Sequence, residues 1–138
     1  MTTYKVGYLI GSLAMASINR KLATALVRLA PAELAMVEIP FRDLPLYSYD
    51  YDADFPPAAR AFKDAVASVD AVLFVTPEYN RSIPGGLKNA IDWASRPYRT
   101  NSFARKPSAI IGTSPGPSAP RSPSKASVAF SLSATRRR

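Results

Sequence analysis

Residues 69–93 read VDAVLFVTPEYNRSIPGGLKNAIDW. The first eight of them, Val69–Thr76, are almost all apolar, which is typical of a parallel strand that is covered on both faces. A polar loop with two prolines and two glycines follows. Pro84–Ser95 then has the composition of a helix, with Trp93 predicted to pack in the core or in an interface. This order of elements predicts a β-loop-α unit of a parallel sheet.

The same alternation extends in both directions from this unit. Strands and helices that alternate at this length predict an α/β fold, a doubly wound parallel sheet in three α/β/α layers that is truncated after its fourth strand. One helix should carry Leu22, Leu26 and Leu29 on a single face. The other predicted strands are Tyr4–Ile10, Ala35–Ile39 and Ser108–Gly112, and the other predicted helices are Asn19–Ala30, which Ser17 caps, and Pro56–Ser68, with Phe62, Ala65 and Val66 inward.

Composition excludes several kinds of chemistry. The 138 residues contain neither cysteine nor histidine. Disulfides, thiol nucleophiles, histidine-based triads and the usual ligands of transition metals are therefore absent, and we expect no metal site and no catalytic side chain. There is no apolar run long enough to span a membrane and no secretory signal at the start, so a cytoplasmic protein without membrane partners is expected.

The net charge of +8 is unevenly distributed along the chain. Residues 1–116 carry 13 of the 18 Lys and Arg residues and all 10 acidic residues, whereas residues 117–138 carry five basic residues and no acid. Four of the 13 prolines lie at positions 115–123. We therefore predict one incomplete domain over residues 1–116 and a basic, Pro/Ser-rich, irregular tail over residues 117–138, in which Ser127–Leu132 alone has strand character.

Two loops carry the chemistry that the composition permits. Gly11–Asn19 reads GSLAMASIN and joins the first strand to the first helix, so its amides and hydroxyls can bind one terminal phosphate at a helix N-terminus. An ordinary capped loop is the alternative. Pro77–Asn80 follows the third strand, and we expect an extended loop whose peptide groups reach the edge of a planar ring, with Tyr79 beside that ring. A buried strand rarely ends in so polar and rigid a loop without a ligand.

The serine-rich loop and the stretch PEYNRSIPGGLKNAIDW resemble the NADPH-dependent FMN reductase family, which has a flavodoxin-like fold and includes quinone, azo-dye and chromate reductases. The resemblance covers roughly residues 4–116. It implies FMN as cofactor and NADPH or NADH as co-substrate. It places the FMN phosphate on the first loop, and the flavin ring between the loop after strand three and a third loop after strand four. The implied binding residues are Ser12, Leu13, Ser17, Ile18 and Asn19 for the phosphate, and Pro77, Glu78, Tyr79, Asn80, Thr113 and Ser114 for the ring.

The chain departs from the family pattern at two places. The family usually has an arginine two residues after the first serine, where this chain has Ala14. Charge-assisted contacts of this kind contribute roughly 1.5–3 kcal/mol each, so weaker FMN binding is expected, with Arg20 or Lys21 as possible replacements. The second departure is the tail. Residues 117–126, read one base out of frame, can encode a family-like continuation, which suggests a single-base frameshift at Gly116–Pro117; sequencing the gene through that position tests it.

The resemblance implies a function: hydride passes from NAD(P)H through flavin N5 to a small-molecule electron acceptor such as a quinone, an azo compound, free flavin or chromate. A homodimer or homotetramer is implied as well. Two alternatives stay open. The first is a non-enzymatic flavodoxin-like electron carrier, although such carriers are usually acidic. The second is a basic nucleic-acid-binding module, which rests on the tail alone, so nucleic acid is not an expected partner.

Overall fold

The computed structural model describes residues 2–113 and 126–127, and strands alternate with helices along the first of these ranges. The bounds agree with the expected ones to within two residues at every end. A short 3-10 helix, Tyr49–Asp52, lies in the long segment that follows the second strand. The parallel strands are β1 (Tyr4–Ile10), β2 (Leu34–Glu38), β3 (Ala71–Val75) and β4 (Ser108–Thr113), and the helices are α1 (Ile18–Leu29), α2 (Pro57–Ala67) and α3 (Gly85–Ser95).

The sheet confirms the predicted flavodoxin-like topology. Its parallel strands have the order β2-β1-β3-β4. Ile10 at the end of β1 pairs with Val75 at the end of β3, and Val75 pairs with Ile111 of β4. The carboxyl ends of three neighbouring strands therefore meet at one edge of the sheet. This is the edge at which doubly wound folds bind their ligands.

A fifth strand, β5 (Ala126–Ser127), lies beside β4 and runs antiparallel to it. Ser127 pairs with Gly112, and Ala126 pairs with Thr113. This short strand overlaps the start of the segment that was expected to have strand character. The rest of that segment, Ser114, the proposed frameshift at Gly116–Pro117 and the other tail residues lie outside the described residues, so the division at residue 116 stays a prediction.

Helix α1 covers one face of the sheet. Its start is fixed by Ser17, whose hydroxyl accepts a hydrogen bond from the Arg20 amide at 3.3 Å, as predicted for an N-cap. Leu22 and Leu26 pack against the cluster formed by Ile10, Ala23 and Val75. Leu29, the last residue of the helix, is 81% exposed and does not pack against this cluster.

Helices α2 and α3 cover the other face and form the larger core. The expected inward residues of α2 are confirmed, since Phe62 and Val66 are buried and Ala65 packs against the same core. Trp93 of α3 is completely buried, and its ring centroid lies 5.0 Å from that of Phe55 in an edge-to-face arrangement. The core-packing interpretation of Trp93 is therefore confirmed. Helices on both faces complete the three layers.

Candidate functional site

The first loop begins where β1 ends, and the backbone there is tightly packed. The Gly11 amide donates to the Val75 carbonyl at 2.8 Å. A Cβ at Gly11 would lie 2.2 Å from Oγ1 of Thr76, so only glycine fits without displacing the start of the loop after β3. Ser12 is buried, and its hydroxyl accepts a hydrogen bond from the Ala14 amide at 3.4 Å. The loop thus leads directly into the N-terminus of α1, whose first turn contains no acidic residue.

The loop after β3 is shaped by a tight turn that the sequence analysis missed. Tyr79 and Ser82 exchange two backbone hydrogen bonds of 2.8 and 2.9 Å. Between them, Asn80 and Arg81 have φ angles of 50° and 61°. Two successive positive φ angles are typical of a type I′ hairpin turn. The expectation of an extended loop was therefore wrong for residues 79–82. The usual sequence signal, Asn-Gly, was absent because arginine holds the position that glycine commonly occupies.

These two loops meet through their side chains. The hydroxyl of Tyr79 lies 3.5 Å from Oγ of Ser12, although the two residues are 67 positions apart in the sequence. Tyr79 remains 48% exposed, so its ring forms part of the accessible surface at this edge of the sheet. The pair places a hydroxyl of the first loop and an aromatic ring of the second loop next to one another.

Asn19 joins the first loop to the end of β4. Its side-chain amide donates to the Thr113 carbonyl at 2.8 Å, and its amide oxygen accepts from the Thr113 N–H at 3.0 Å. Asn19 is only 1% exposed. Close by, Gly112 packs so tightly that a Cβ would lie 1.8 Å from the Thr76 carbonyl oxygen. The amide of Asn19 is thus used to hold the third loop beside the first; whether it also contacts a phosphate stays a prediction.

The remaining predicted residues lie along the same edge. Leu13 and Ile18 are each 38% exposed, Ser17 and Pro77 are buried, and the Glu78 and Asn80 side chains are exposed. The structure thus brings Ser12 beside Tyr79 and Asn19 beside Thr113, and the assignment of the other described residues to one site stays a prediction. Ser114 lies outside the described residues.

The long segment after β2 is held against α3 by a set of hydrogen bonds that sequence reasoning did not find. The Asn89 amide donates to the Pro45 carbonyl at 2.9 Å, and its oxygen accepts from the Tyr47 N–H at 2.9 Å. Nε1 of Trp93 donates to the same Pro45 carbonyl at 2.7 Å. Asn89 and Trp93 lie four residues apart and so share one face of α3, which is the one signal in the sequence that could have pointed to this contact.

The surroundings of Tyr47 in this segment shift the pKa of its phenol. Its hydroxyl donates to Asp52 at 2.8 Å, and its ring packs edge-to-face on Trp93 with centroids 5.1 Å apart. Burial, followed by the hydrogen bond to the Asp52 carboxylate, raises the pKa of Tyr47 above its ordinary value. The phenol is therefore held in its neutral form.

The arginine side chains near the first loop make contacts other than those expected from the sequence. Arg20, one of the two predicted replacements for the absent loop arginine, forms a two-pronged ion pair with Glu38 at 3.0 and 3.2 Å. This hydrogen-bonded pair raises the pKa of Arg20. A residue that was not considered, Arg42, instead donates from Nη2 to the Leu13 carbonyl in the middle of the loop.

Two further observations concern the part of the chain that the structure describes. Within residues 2–113, no group of three or more His, Asp or Glu residues is arranged to hold a metal ion. The helices described here are too short or too polar to cross a lipid bilayer.

The fold and the candidate site together define the structural class of this protein. A parallel sheet in the order β2-β1-β3-β4, with a hydroxyl-lined loop entering α1 and a second loop closing on it, is a flavodoxin-like α/β domain with its candidate site at the sheet's carboxyl edge. The family described as NADPH-dependent FMN reductase matches residues 4–129. The chain belongs to this family.

Several similar proteins have been named for their activity. A 2-hydroxy-1,4-benzoquinone reductase from Burkholderia sp is 54% identical over 112 residues, which are 81% of this chain and 61% of that protein. A quinone reductase from Pseudomonas putida is 52% identical over 82% of this chain and 61% of its own length. The solved structure of FerB, a flavoenzyme NAD(P)H:(acceptor) oxidoreductase from Paracoccus denitrificans, is 49% identical, with a TM-score of 0.78 over 83% of this chain and 63% of that one. The chain thus spans about 61–63% of the length of these relatives.

Proposed function

We propose that this protein binds FMN at the carboxyl edge of its sheet and acts as an NAD(P)H-dependent reductase of quinone-type acceptors. The observation that carries this proposal is the contact between the two loops, 3.5 Å from the Ser12 hydroxyl to the Tyr79 hydroxyl. This contact supports a site in which a hydroxyl of the first loop lies beside an exposed aromatic ring of the second. Family membership and the names of the relatives support the same assignment.

The residues of the first loop, the phosphate cradle of this proposal, fit a phosphate monoester. The Ser12 hydroxyl is a short, neutral donor, and the N-terminus of α1, with its positive dipole end, begins at the end of the same loop. The first turn of α1 has no carboxylate that would repel an anion. Ser12, Leu13, Ser17, Ile18 and Asn19 are the residues we assign to this part of the site.

The second part of the site would hold the flat ring. The turn at Asn80 and Arg81 holds Tyr79 beside Ser12, and the bonds of Asn19 hold Thr113 beside the first loop. We assign Pro77, Glu78, Tyr79, Asn80, Thr113 and Ser114 to contacts with the ring. A bound flavin supplies the hydride transfer from NADPH or NADH to the acceptor. The protein binds and orients, and we assign no side chain of this chain a proton-transfer role.

Two measurements test the proposal. Purified protein is titrated with FMN while flavin fluorescence is followed, and the loaded protein is then mixed with NADPH or NADH and a benzoquinone. We expect saturable binding and acceptor-dependent oxidation of the nicotinamide. Ser12→Ala should weaken FMN binding, and Ser68→Ala, which removes the C-cap hydroxyl of α2 that donates to the Ala65 carbonyl, serves as a control that leaves it unchanged.

The outcomes separate the alternatives. FMN binding without any oxidation of NADPH or NADH would contradict the enzyme and favour an electron carrier. Failure to bind FMN would contradict the proposal as a whole. Salt-sensitive retention of DNA that is lost when residues 117–138 are deleted would instead favour a nucleic-acid-binding module built on the tail.

We also propose that the protein forms a homodimer or homotetramer. Leu46 and Tyr49, from the segment that Asn89 and Trp93 hold in place, are 82% and 77% exposed. Large exposed apolar side chains on an ordered segment are typical of surfaces between subunits. Sedimentation equilibrium tests this, and a monomer at all concentrations would contradict it. A cytoplasmic location stays a prediction from the sequence.

A further inference from the structure

The first loop lacks a cation of its own. Residues 11–19 read GSLAMASIN, without lysine or arginine. The next two residues are Arg20 and Lys21, but the guanidinium of Arg20 is engaged by both oxygens of Glu38. A phosphate monoester carries a charge of about −1.5 to −2 at neutral pH. The dipole of one helix supplies only about half a positive charge, so the cradle described above is short of positive charge.

Arg42 brings positive charge to this loop from elsewhere in the chain. It lies 29 positions after Leu13, in the segment that leaves the carboxyl end of β2, and its Nη2 donates to the Leu13 carbonyl. Among the residues that the structure describes, no other lysine or arginine side chain has a hydrogen bond to residues 12–17. A guanidinium has five N–H donors, so a single bond to a carbonyl leaves donors for an anion.

The surroundings of Arg42 leave room for such an anion. A cleft of about 190 Å³ lies between the first loop and the segment after β2. Its lining includes Leu13 and Arg42, together with the Arg20–Glu38 pair and Asp43. Since Arg20 and Glu38 neutralise each other, Asp43 is the acidic group that competes with an anion for Arg42.

From this arrangement we infer that Arg42 pairs with the phosphate of FMN and supplies the positive charge that the first loop lacks. The inference rests on the proposed function and adds to it a residue that no loop motif contains. The alternative role of the same contact is purely to hold the shape of the loop through the Leu13 carbonyl. The two roles differ in their ligand dependence, because riboflavin has the same ring as FMN but no phosphate.

The test therefore compares FMN with riboflavin, and both are titrated into the whole chain while flavin fluorescence is followed. Arg42→Gln should weaken FMN binding by about tenfold or more, since charge-assisted bonds to phosphate are strong, and should change riboflavin binding by less than about twofold. The matched control is Arg28→Gln, another exposed arginine in the last turn of α1, for which neither affinity should change. Thermal melts show that each variant is folded.

Two further variants extend the test, and Arg42→Lys keeps the inference testable if Arg42→Gln fails to fold. Arg42→Lys keeps the charge but not the fork, so its loss of FMN affinity should be smaller than that of Arg42→Gln, again without an effect on riboflavin. Adding Ala14→Arg to Arg42→Gln returns a guanidinium to the loop and should restore FMN binding. Ala14 is exposed, so the new side chain has space.

The results discriminate as follows. Selective loss of FMN affinity supports the inference. Equal loss of FMN and riboflavin affinity would show that Arg42 only shapes the loop, and unchanged FMN affinity would show that it does not act on the phosphate; either overturns the inference and leaves the proposed function intact. If the unaltered protein binds neither ligand, both the proposed function and the inference fail.

Discussion

Asn89→Ala should loosen the segment after β2 from α3. The wild-type side chain makes two hydrogen bonds of 2.9 Å, one to the Pro45 carbonyl and one from the Tyr47 amide. Alanine can make neither. The Pro45 carbonyl keeps its 2.7 Å bond from Trp93, but the half-buried Tyr47 amide loses the partner that this geometry provides.

The magnitude follows from these bonds. Two hydrogen bonds at a net value of about 1 kcal/mol each give a loss of about 2 kcal/mol. Alanine has a higher helix propensity than asparagine, which offsets about 0.6 kcal/mol of this loss. We therefore expect the free energy of unfolding to fall by about 1.5 kcal/mol, which corresponds to a decrease in Tm of about 5 °C for a domain of this size.

Tryptophan fluorescence is a suitable assay for this loss of stability. Trp93 is the single tryptophan of the chain and lies within the affected cluster, so its fluorescence during urea unfolding reports on this region. Lys88→Ala is the matched control on the neighbouring exposed position, where it removes an ion pair with Asp92 and should cost no more than about 0.5 kcal/mol. If Asn89→Ala is no more destabilising than Lys88→Ala, the two bonds do not hold the segment and the reasoning is refuted.

Two more predictions concern the sheet edge and alkaline pH. Gly112→Ala places a Cβ 1.8 Å from the Thr76 carbonyl oxygen and should lower the free energy of unfolding by about 3 kcal/mol or more, measured by thermal melts. In the control Gly85→Ala, the new Cβ has nothing within 4 Å, so stability should be unchanged or slightly raised. Equal melting temperatures for the two variants would contradict the tight packing at Gly112. Burial and the bond to Asp52 raise the pKa of Tyr47 above 10.0 in the folded state, so the stability that this group contributes below pH 10.0 is lost as the pH rises through the folded value. Tyr47→Phe should therefore lose less stability than the wild type on going to alkaline pH, and urea midpoints that fall in parallel would exclude this origin.

Local patterns were sufficient for most of the fold. The apolar run Val69–Thr76 and the β-rich run Tyr4–Ile10 predicted two central strands, and Ser17 predicted the start of α1; all are confirmed with small shifts at the ends. Parallel strands align their carboxyl ends, so the sequence also predicted that the loops at residues 11–19 and 77–80 would be neighbours.

Details of the site depended on contacts between distant residues. The type I′ turn at Asn80 and Arg81 has no glycine to signal it, and it is held by the pairing of Tyr79 with Ser82. The amide of Asn19 looked like a loop donor, yet it bonds Thr113, 94 positions away. Side-chain hydrogen bonds of this kind leave no periodic trace in the sequence.

The amino-acid sequence by itself therefore determined the kinds of element, their order and the edge at which their loops gather, because strand and helix periods, caps and proline or glycine breaks act over a few residues. Tertiary structure alone decided which polar groups are consumed in holding the loops and which cation reaches them. Arg20 was near the loop in sequence but is paired with Glu38, and Arg42 was remote but donates to Leu13, since the packing of β2 beside β1 sets both distances.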